Sequence, residues 1–145
     1  MKILSAAFLD GQLIPEKYTC KGENINPELI FEDVPVATKS LSLIMDDPDA
    51  PSGTFTHWVI FNMPPETKTI PEKSNPPGMV AKNGTGQNIY TGPCPPSGTH
   101  RYYFKLYALD AVLPADHVGN KDELMTLMQG HTLEEAELMG KYSKQ

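Results

Sequence analysis

The sequence predicts an all-β protein, an antiparallel Greek-key sandwich of two sheets with two short helices near its C-terminus. Three segments, 40–46, 56–62 and 101–109, alternate their side chains or are rich in β-branched and aromatic residues, as strands are. Proline makes up 14 of the 145 residues, about twice the usual share, and proline breaks helix interiors. Helical spacing of apolar residues begins only after Asn120. Strands first and helices last favour a β core with a helical appendix.

Alternation along the strong strands predicts which side chains share a face. The expected sets are Leu41, Leu43 and Met45; His57, Val59 and Phe61; and Tyr102, Phe104 and Leu106. Trp58 and Ile60 are expected on the face opposite His57. Segments 2–9 and 29–33 are weaker strand candidates.

The rest of the chain divides into a long loop region and a helical tail. Residues 64–98 hold eight of the 14 prolines and five of the 11 glycines, a composition typical of functional or mobile loops. Two capping pairs, Asn120 with Glu123 and Thr132 with Glu135, predict helices at about 121–129 and 133–141. We expect both helices to cover one end of a sheet.

Length and charge restrict the classes of protein and partner. The chain suffices for one domain, 1–145. Eighteen acidic against 12 basic residues give a formal charge of −6, which argues against nucleic acid or an anionic membrane surface as the main partner. No apolar run resembles a transmembrane helix or a signal peptide, so we expect a cytoplasmic protein. In that location Cys20 and Cys94, which form no CxxC motif, are expected to be free thiols.

Four residues whose side chains could bind a ligand or take part in catalysis lie at strand ends: Asp47, His57, His100 and Tyr102. Two of them also have a plain structural explanation, since Asp47 fits a local Asx turn and His57 fits a hydrogen-bonded core histidine. If the strand ends meet, these side chains form one polar cluster. Two histidines and an aspartate are a known zinc or iron ligand set, although no HxH or HxxxH spacing supports one here.

Two other chemistries remain open for this cluster. A hydrolase needs a nucleophile, and neither Ser52 nor Ser97 stands in a GxSxG elbow. An anion site needs less, because imidazole N–H groups, a tyrosine hydroxyl and the amides of a glycine-rich turn bind phosphate or sulfate, with Asp47 orienting one histidine.

Three motifs in order give the chain a family resemblance. DPDAP (47–51), THWVIFNMP (56–64) and YTGPCPPSGTHRYYFKLYAL (90–109) resemble the phosphatidylethanolamine-binding protein family, which includes the Raf kinase inhibitor proteins and the plant flowering-time regulators. YTCKGENINPEL (18–29) and TKSLSLIMDDPDAP (38–51) look like its compact bacterial and archaeal branch. The resemblance extends from about residue 4 to residue 140.

The resemblance implies a β-sandwich with a small pocket for phosphate, phosphoryl head groups, acetate or similar anions. The residues that carry the pocket over are Asp47, Pro51, His57, Gly92, Pro95, Pro96, His100 and Tyr102. Arg101 has the opposite parity, and we interpret it as a structural ion-pair partner. We also expect a cis Ala50–Pro51 bond in the DPDAP turn.

The function expected is therefore non-catalytic binding of a small anionic ligand, without a cofactor. Regulation of a partner protein such as a kinase or protease through the pocket rim is part of the same expectation, and exposed strand edges are compatible with a homodimer. The alternatives are a metal-assisted or histidine-based hydrolase using Asp47, His57 and His100, and an interaction protein whose pocket is vestigial.

Overall fold

A computed structural model describes residues 1–144, in which eight strands and one α-helix form. The strands are β1 (Lys2–Leu4), β2 (Leu29–Glu32), β3 (Ser40–Asp47), β4 (Phe55–Met63), β5 (Thr69–Ile70), β6 (Met79–Val80), β7 (Thr99–Leu109) and β8 (Thr132–Ser143), and helix α1 is Lys121–Met128. The three strong strand predictions are confirmed. Only the ends of the weak candidate 2–9 differ much, because its strand stops at Leu4.

The strands form two antiparallel sheets. The smaller has the order β1-β2-β5, and the larger has the order β6-β4-β3-β7-β8. The all-β prediction with two antiparallel sheets is therefore confirmed. The Greek-key connectivity stays a prediction. Residues 64–98 contain only the two-residue strands β5 and β6, as their proline and glycine content predicts.

Strand β3 lies at the centre of the larger sheet, and all eight of its residues are buried. One face packs against the smaller sheet, where Leu41, Leu43 and Met45 join Phe31 and Ile70 in the main core. The opposite face is covered by α1, so β3 has no solvent-facing side. Polar residues of β3 are buried as well: the Ser40 hydroxyl donates to the Ala111 carbonyl oxygen at 2.6 Å, and Asp46 pairs with Lys121 at 2.7 Å.

Helix α1 closes the far face of the larger sheet. Leu124 and Met128 pack there against Val59 and Phe61 of β4. The Asn120 side chain accepts the Glu123 amide at 2.9 Å, so the first capping prediction is confirmed. None of the helices in residues 1–144 has the length and apolar character that crossing a bilayer requires.

The second helix prediction, 133–141, is wrong because this segment is strand β8. It pairs with β7 from Thr99↔Ser143 to Leu109↔Thr132. The same residues also satisfy a period of two, with Leu138 and Tyr142 buried. Pairing supplies hydrogen bonds to an otherwise open edge of β7, and this tertiary gain outweighs a local capping pair.

Candidate functional site

A cavity of about 260 Å³ opens where the ends of β3, β4 and β7 meet two proline-rich turns. Its lining combines a few polar groups with proline and aromatic surfaces. The lining residues are Asp47, Ala50, Pro51, Phe55, His57, Thr91, Gly92, Cys94, Pro95, Pro96, His100 and Tyr102. All eight residues that were expected, from the sequence, to form a pocket are among them. A cavity of this kind, apolar with convergent polar groups, has the character of a small-molecule site.

A buried carboxylate–imidazole pair lies in the cavity wall. His100 Nδ1 donates to Asp47 Oδ2 at 2.7 Å, and both side chains are about 95% buried. The other oxygen, Oδ1, accepts the Asp49 amide at 2.8 Å. Asp47 therefore makes the Asx turn of the plain structural explanation and orients a histidine as well. The pair leaves Nε2 as the His100 nitrogen that is available to a ligand.

A β-bulge near the start of β4 turns His57 toward the cavity. Trp58 lies opposite Met45 and Thr56 lies opposite Asp46, so His57 is an extra residue without a partner on β3. The predicted face for His57, shared with Val59 and Phe61, is therefore wrong. Those two residues pack against α1, whereas the His57 ring contacts Tyr102 on the other side of the sheet.

His57 is held by backbone groups of the loop beside it. Its Nδ1 lies 2.6 Å from the Thr91 carbonyl oxygen, and the Thr91 amide donates to the His57 carbonyl at 3.1 Å. Burial lowers the pKa of His57 below 6.5, and the hydrogen bond to Thr91 offsets only part of that effect. A neutral ring that donates from Nδ1 presents Nε2 as a hydrogen-bond acceptor.

Four rings follow one another along the cavity. Phe55 and His57 meet edge to face with centroids 4.9 Å apart, and His57 and Tyr102 do so at 5.3 Å. Tyr102 and His100 are stacked at 6.4 Å. Contacts of this geometry fix ring orientation as well as bury apolar surface, so the polar atoms of the site are carried by a rigid series of rings.

The Tyr102 hydroxyl is the orphan polar group of the site. Its oxygen is buried and has no hydrogen-bond partner among residues 1–144. Burial raises the pKa of Tyr102 well above its usual value, and the Asp47 carboxylate raises it further. The side chain therefore stays a neutral O–H donor, and leaving such a donor unpaired costs free energy unless a water or ligand binds it.

The DPDAP turn separates its two acidic residues. Asp47 faces the cavity, while both oxygens of Asp49 accept from the Arg101 guanidinium at 2.8 and 2.9 Å. Arg101 is absent from the cavity lining, so its interpretation as an ion-pair partner is confirmed. The predicted cis Ala50–Pro51 bond is wrong, because the bond is trans. The Asx turn orients Asp47 without it.

The loop 92–96 closes the cavity on the side of residues 18–24. The Gly92 amide donates to Asn24 Oδ1 at 2.8 Å, and a Cβ at Gly92 would overlap the Tyr18 carbonyl oxygen. Cys94 and Cys20 form a disulfide, so the prediction of two free thiols is wrong. The two loops lie side by side, which brings the cysteine Cα atoms to 5.5 Å although 74 positions separate them.

Four further lining residues were not predicted: Ala50, Phe55, Thr91 and Cys94. Ala50 lies in DPDAP, and Thr91 and Cys94 lie in the 90–109 motif beside Gly92 and Pro95, so position within a motif was the signal for these three. Phe55 lies just before the 56–64 motif and had no such signal. The role of Phe55 depends on the bulge at His57, which alternation alone does not reveal.

The contacts of the cavity residues bear on two of the expected chemistries, metal binding and hydrolysis. Within residues 1–144, no three His, Cys, Asp or Glu side chains are grouped as a metal site requires. Asp47 and His100 form the base-and-orienter half of a hydrolytic triad. Two lining residues carry an atom of the type that acts as a nucleophile. The Cys94 sulfur is bonded to Cys20 in a disulfide, and the Thr91 hydroxyl accepts from Asn83 Nδ2 at 3.0 Å.

The known proteins that resemble this chain by sequence and those that resemble it by structure point to the same family. The family model described as phosphatidylethanolamine-binding protein matches residues 4–143. A UPF0098 protein of Methanothermobacter thermautotrophicus is 49% identical over 99% of both chains, and one of Chlamydia pneumoniae is 44% identical over 99% of both.

Two crystal structures have the same fold. A putative phosphatidylethanolamine-binding protein homologue from Chlamydia trachomatis aligns with a TM-score of 0.96 at 42% identity, covering 99% of this chain and 97% of the other. E. coli YbcL, described as a new member of the mammalian PEBP family, aligns with a TM-score of 0.91 at 26% identity over 99% and 98%. The fold is therefore shared with a protein that is only 26% identical in sequence.

Proposed function

Because the chain belongs to the phosphatidylethanolamine-binding protein family, we propose that it is a non-catalytic protein that binds one small anionic or phosphorylated ligand in the Asp47–His100 cavity. The observation that carries the proposal is the Tyr102 hydroxyl, a buried donor without a partner among residues 1–144. It lines the cavity together with a histidine that a buried carboxylate orients. An anion accepts from the Tyr102 hydroxyl, and also from His100 Nε2 in the protonated form of the ring, whose Nδ1 donates to Asp47.

The charges of the lining restrict the form of the anion. The cavity contains no Lys or Arg, and Asp47 contributes a negative charge. His57 is neutral and presents an acceptor at Nε2, as its Thr91 contact and lowered pKa indicate. An acceptor matches a protonated phosphoryl oxygen, while the Tyr102 hydroxyl and the protonated form of the His100 ring match the unprotonated ones. The preferred ligand is therefore a singly charged phosphoryl group that carries a P–OH, either H2PO4⁻ or a phosphomonoester monoanion.

This proposal predicts which anions bind and at what pH. Near neutral pH inorganic phosphate passes from H2PO4⁻ to HPO4²⁻, whose second negative charge is not balanced by any Lys or Arg of the lining, and sulfate carries two charges and no proton to donate. In calorimetric titration, inorganic phosphate should bind about tenfold more tightly near pH 6 than near pH 8, because one protonation event separates the two forms. Sulfate should bind more weakly than phosphate at both. Absence of binding by phosphate throughout this range contradicts the proposal.

Matched histidine variants locate the binding. His100→Ala should remove most phosphate binding, whereas His131→Ala should not change it. His131 makes the same kind of contact, Nδ1 to Asp110 Oδ1 at 2.8 Å, but it is exposed and outside the cavity. His100→Gln, which keeps a donor for Asp47, serves if His100→Ala fails to fold. Native mass spectrometry of protein purified without phosphate then identifies any retained ligand.

Regulation of a partner protein is the second part of the proposal. Pro51 and Pro96 are exposed lining residues, so a partner on the rim would contact the bound ligand as well. A regulated kinase or protease should then be retained by immobilised wild-type protein and released by phosphate. Retention that is equal with His100→Ala contradicts regulation through the cavity.

A histidine-based hydrolase remains the alternative because Asp47 and His100 form a hydrogen-bonded pair. Such an enzyme would cleave activated esters or phosphoesters in a way that depends on His100. Turnover of p-nitrophenyl esters or p-nitrophenyl phosphate by the wild type, lost in His100→Ala and retained in His131→Ala, favours the enzyme over the binding protein.

A further inference from the structure

The Cys20–Cys94 disulfide lies at the rim of the cavity, and the proposed binding chemistry does not use it. Cys94 lines the cavity, and both cysteines are exposed. A solvent-accessible disulfide is open to attack by an external thiolate, unlike one buried in a core. In reducing compartments, disulfides are typically transient and redox-sensing.

The disulfide joins two loops that are otherwise connected by few polar contacts. The Cys20 amide donates to the Pro93 carbonyl oxygen at 3.1 Å, and the Gly92 amide donates to Asn24 Oδ1 at 2.8 Å. The Tyr90 hydroxyl donates to the Tyr18 carbonyl oxygen at 2.9 Å. These hydrogen bonds hold residues 90–93 and stop there.

Residues 94–97, which form the next part of the wall, are held differently. Pro95 and Pro96 have no amide to donate, and residues 94–97 make no hydrogen bond within the described chain. The Cys94 amide opposes the rise of the Tyr102 pKa, but the hydroxyl has no hydrogen-bond partner in the described chain. The next hydrogen bond is at Gly98, whose carbonyl accepts the Lys144 amide at 3.1 Å. Apart from the packing of the buried Pro95, the disulfide is therefore the main attachment of this wall segment.

We propose that Cys20–Cys94 is a reversible redox site that fixes the wall of the cavity and accepts electrons from a dithiol. A thiolate of the dithiol attacks one cysteine sulfur, breaks the Sγ–Sγ bond and forms a mixed disulfide. The second thiolate resolves it, so the dithiol leaves as its own disulfide. Cys20 and Cys94 each end as a thiol after the transfer of two electrons and two protons.

Reduction leaves the segment 94–97 attached only through its neighbours in the chain and its packing, and the hydrogen bonds of the Cys20 and Gly92 amides, which join the two loops, then open more often. Pro95 and Pro96 then no longer have a fixed distance to His100 and Tyr102 across the cavity. Ligand affinity falls because the wall must be ordered again on binding. This last consequence rests on the proposed function, whereas the mobility of the wall does not.

Two measurements on the whole protein test the redox site without any ligand. Dithiothreitol should reduce the folded protein without denaturant, and thiol titration should then rise from zero to two groups per chain. Hydrogen exchange at the Cys20 and Gly92 amides, which bridge the two loops, should become about tenfold faster on reduction, while amides of β3 stay unchanged. The Cys20→Ser/Cys94→Ser variant should match the reduced protein and should not respond to dithiothreitol.

The outcomes separate this proposal from the proposed function. Resistance of the folded protein to reduction, or exchange rates that reduction leaves unchanged, overturns the redox site. Phosphate affinity that is equal in the oxidised and reduced protein overturns its control of the cavity. If oxidised protein binds no phosphate but the exchange rates rise on reduction, the redox site stands and the anion proposal fails.

Discussion

The rings of His57 and Tyr102 meet edge to face with centroids 5.3 Å apart, although their strands are not neighbours. β3 lies between β4 and β7, so the two backbones are about 10 Å apart and the side chains lean toward each other above β3. Asp47 ends β3 at this level and binds His100. The contact of these two rings therefore gathers the polar groups of three strands into one site.

The orphan hydroxyl of Tyr102 should strengthen ligand binding and should not stabilise the fold. Tyr102→Phe should raise the free energy of unfolding by about 0.5–1 kcal/mol, because it removes a buried donor that has no partner among residues 1–144. Phosphate affinity should fall about fivefold to tenfold, the value of one lost hydrogen bond. Urea unfolding and calorimetry measure the two effects.

Tyr107→Phe is the matched control, since Tyr107 is buried in the second core beside α1. It should leave phosphate affinity unchanged. A loss of stability in Tyr102→Phe would instead indicate that the hydroxyl is already satisfied in the free protein.

His57 should make the fold less stable at low pH. Its pKa is lowered by burial, so the unfolded chain binds a proton at about pH 6.5 that the folded protein resists. The unfolding free energy should therefore decrease as the pH falls below about 6.5, and this loss is absent at higher pH. His57→Gln should show a shallower decrease between pH 7 and pH 5 in urea titrations.

The outcome of that experiment also tests the charge of the His57 ring in the folded protein. Equal slopes in His57→Gln and the wild type would mean that His57 is charged in the folded protein, and the acceptor role proposed for its Nε2 would then be wrong.

Gly84 should control the width of the cavity through Phe55. A Cβ at Gly84 would lie 2.6 Å from the Phe55 ring, which lines the cavity and contacts His57. Gly84→Ala should therefore displace the ring, lower the free energy of unfolding by about 1–3 kcal/mol and weaken phosphate binding. The double variant Phe55→Leu/Gly84→Ala should recover part of both losses. If the effects of the two substitutions on stability and on phosphate binding are simply additive, Gly84 does not act on the cavity through Phe55.

Arg101 should affect the titration of Asp49 without affecting the ligand. The guanidinium lowers the pKa of Asp49 from 3.8 to about 2. The stabilisation from this pair is complete above about pH 4 and is lost as the pH falls toward 2. In Arg101→Gln, the pKa of Asp49, followed by NMR at its carboxyl carbon, should rise from about 2 toward 3.8, because only the main-chain amide of residue 101 still donates to the carboxylate.

Phosphate affinity should be the same in Arg101→Gln and the wild type near neutral pH. The side chain lies outside the cavity lining, and its hydrogen bonds go to Asp49 and Tyr103. A large loss of affinity would show that Arg101 attracts or contacts the anion.

Local patterns in the chain were enough to predict its main elements. Alternation predicted β3, β4 and β7, proline and glycine content marked the loop region 64–98, and Asn120 marked the start of α1. These features depend on periodicity and on backbone preferences of single residues. The eight pocket residues came instead from the family resemblance of the motifs, and all eight line one cavity.

Tertiary structure decided the rest, because each outcome depends on residues far apart in the chain. Residues 132–143 became a strand since β7 offered a full edge for hydrogen bonding. A bulge against β3 moved His57 to the cavity face. Cys20 and Cys94 pair because two loops, 74 positions apart, lie side by side. Alternation assigns faces only where pairing is regular, and neither pairing partners nor bulges are encoded in one segment alone.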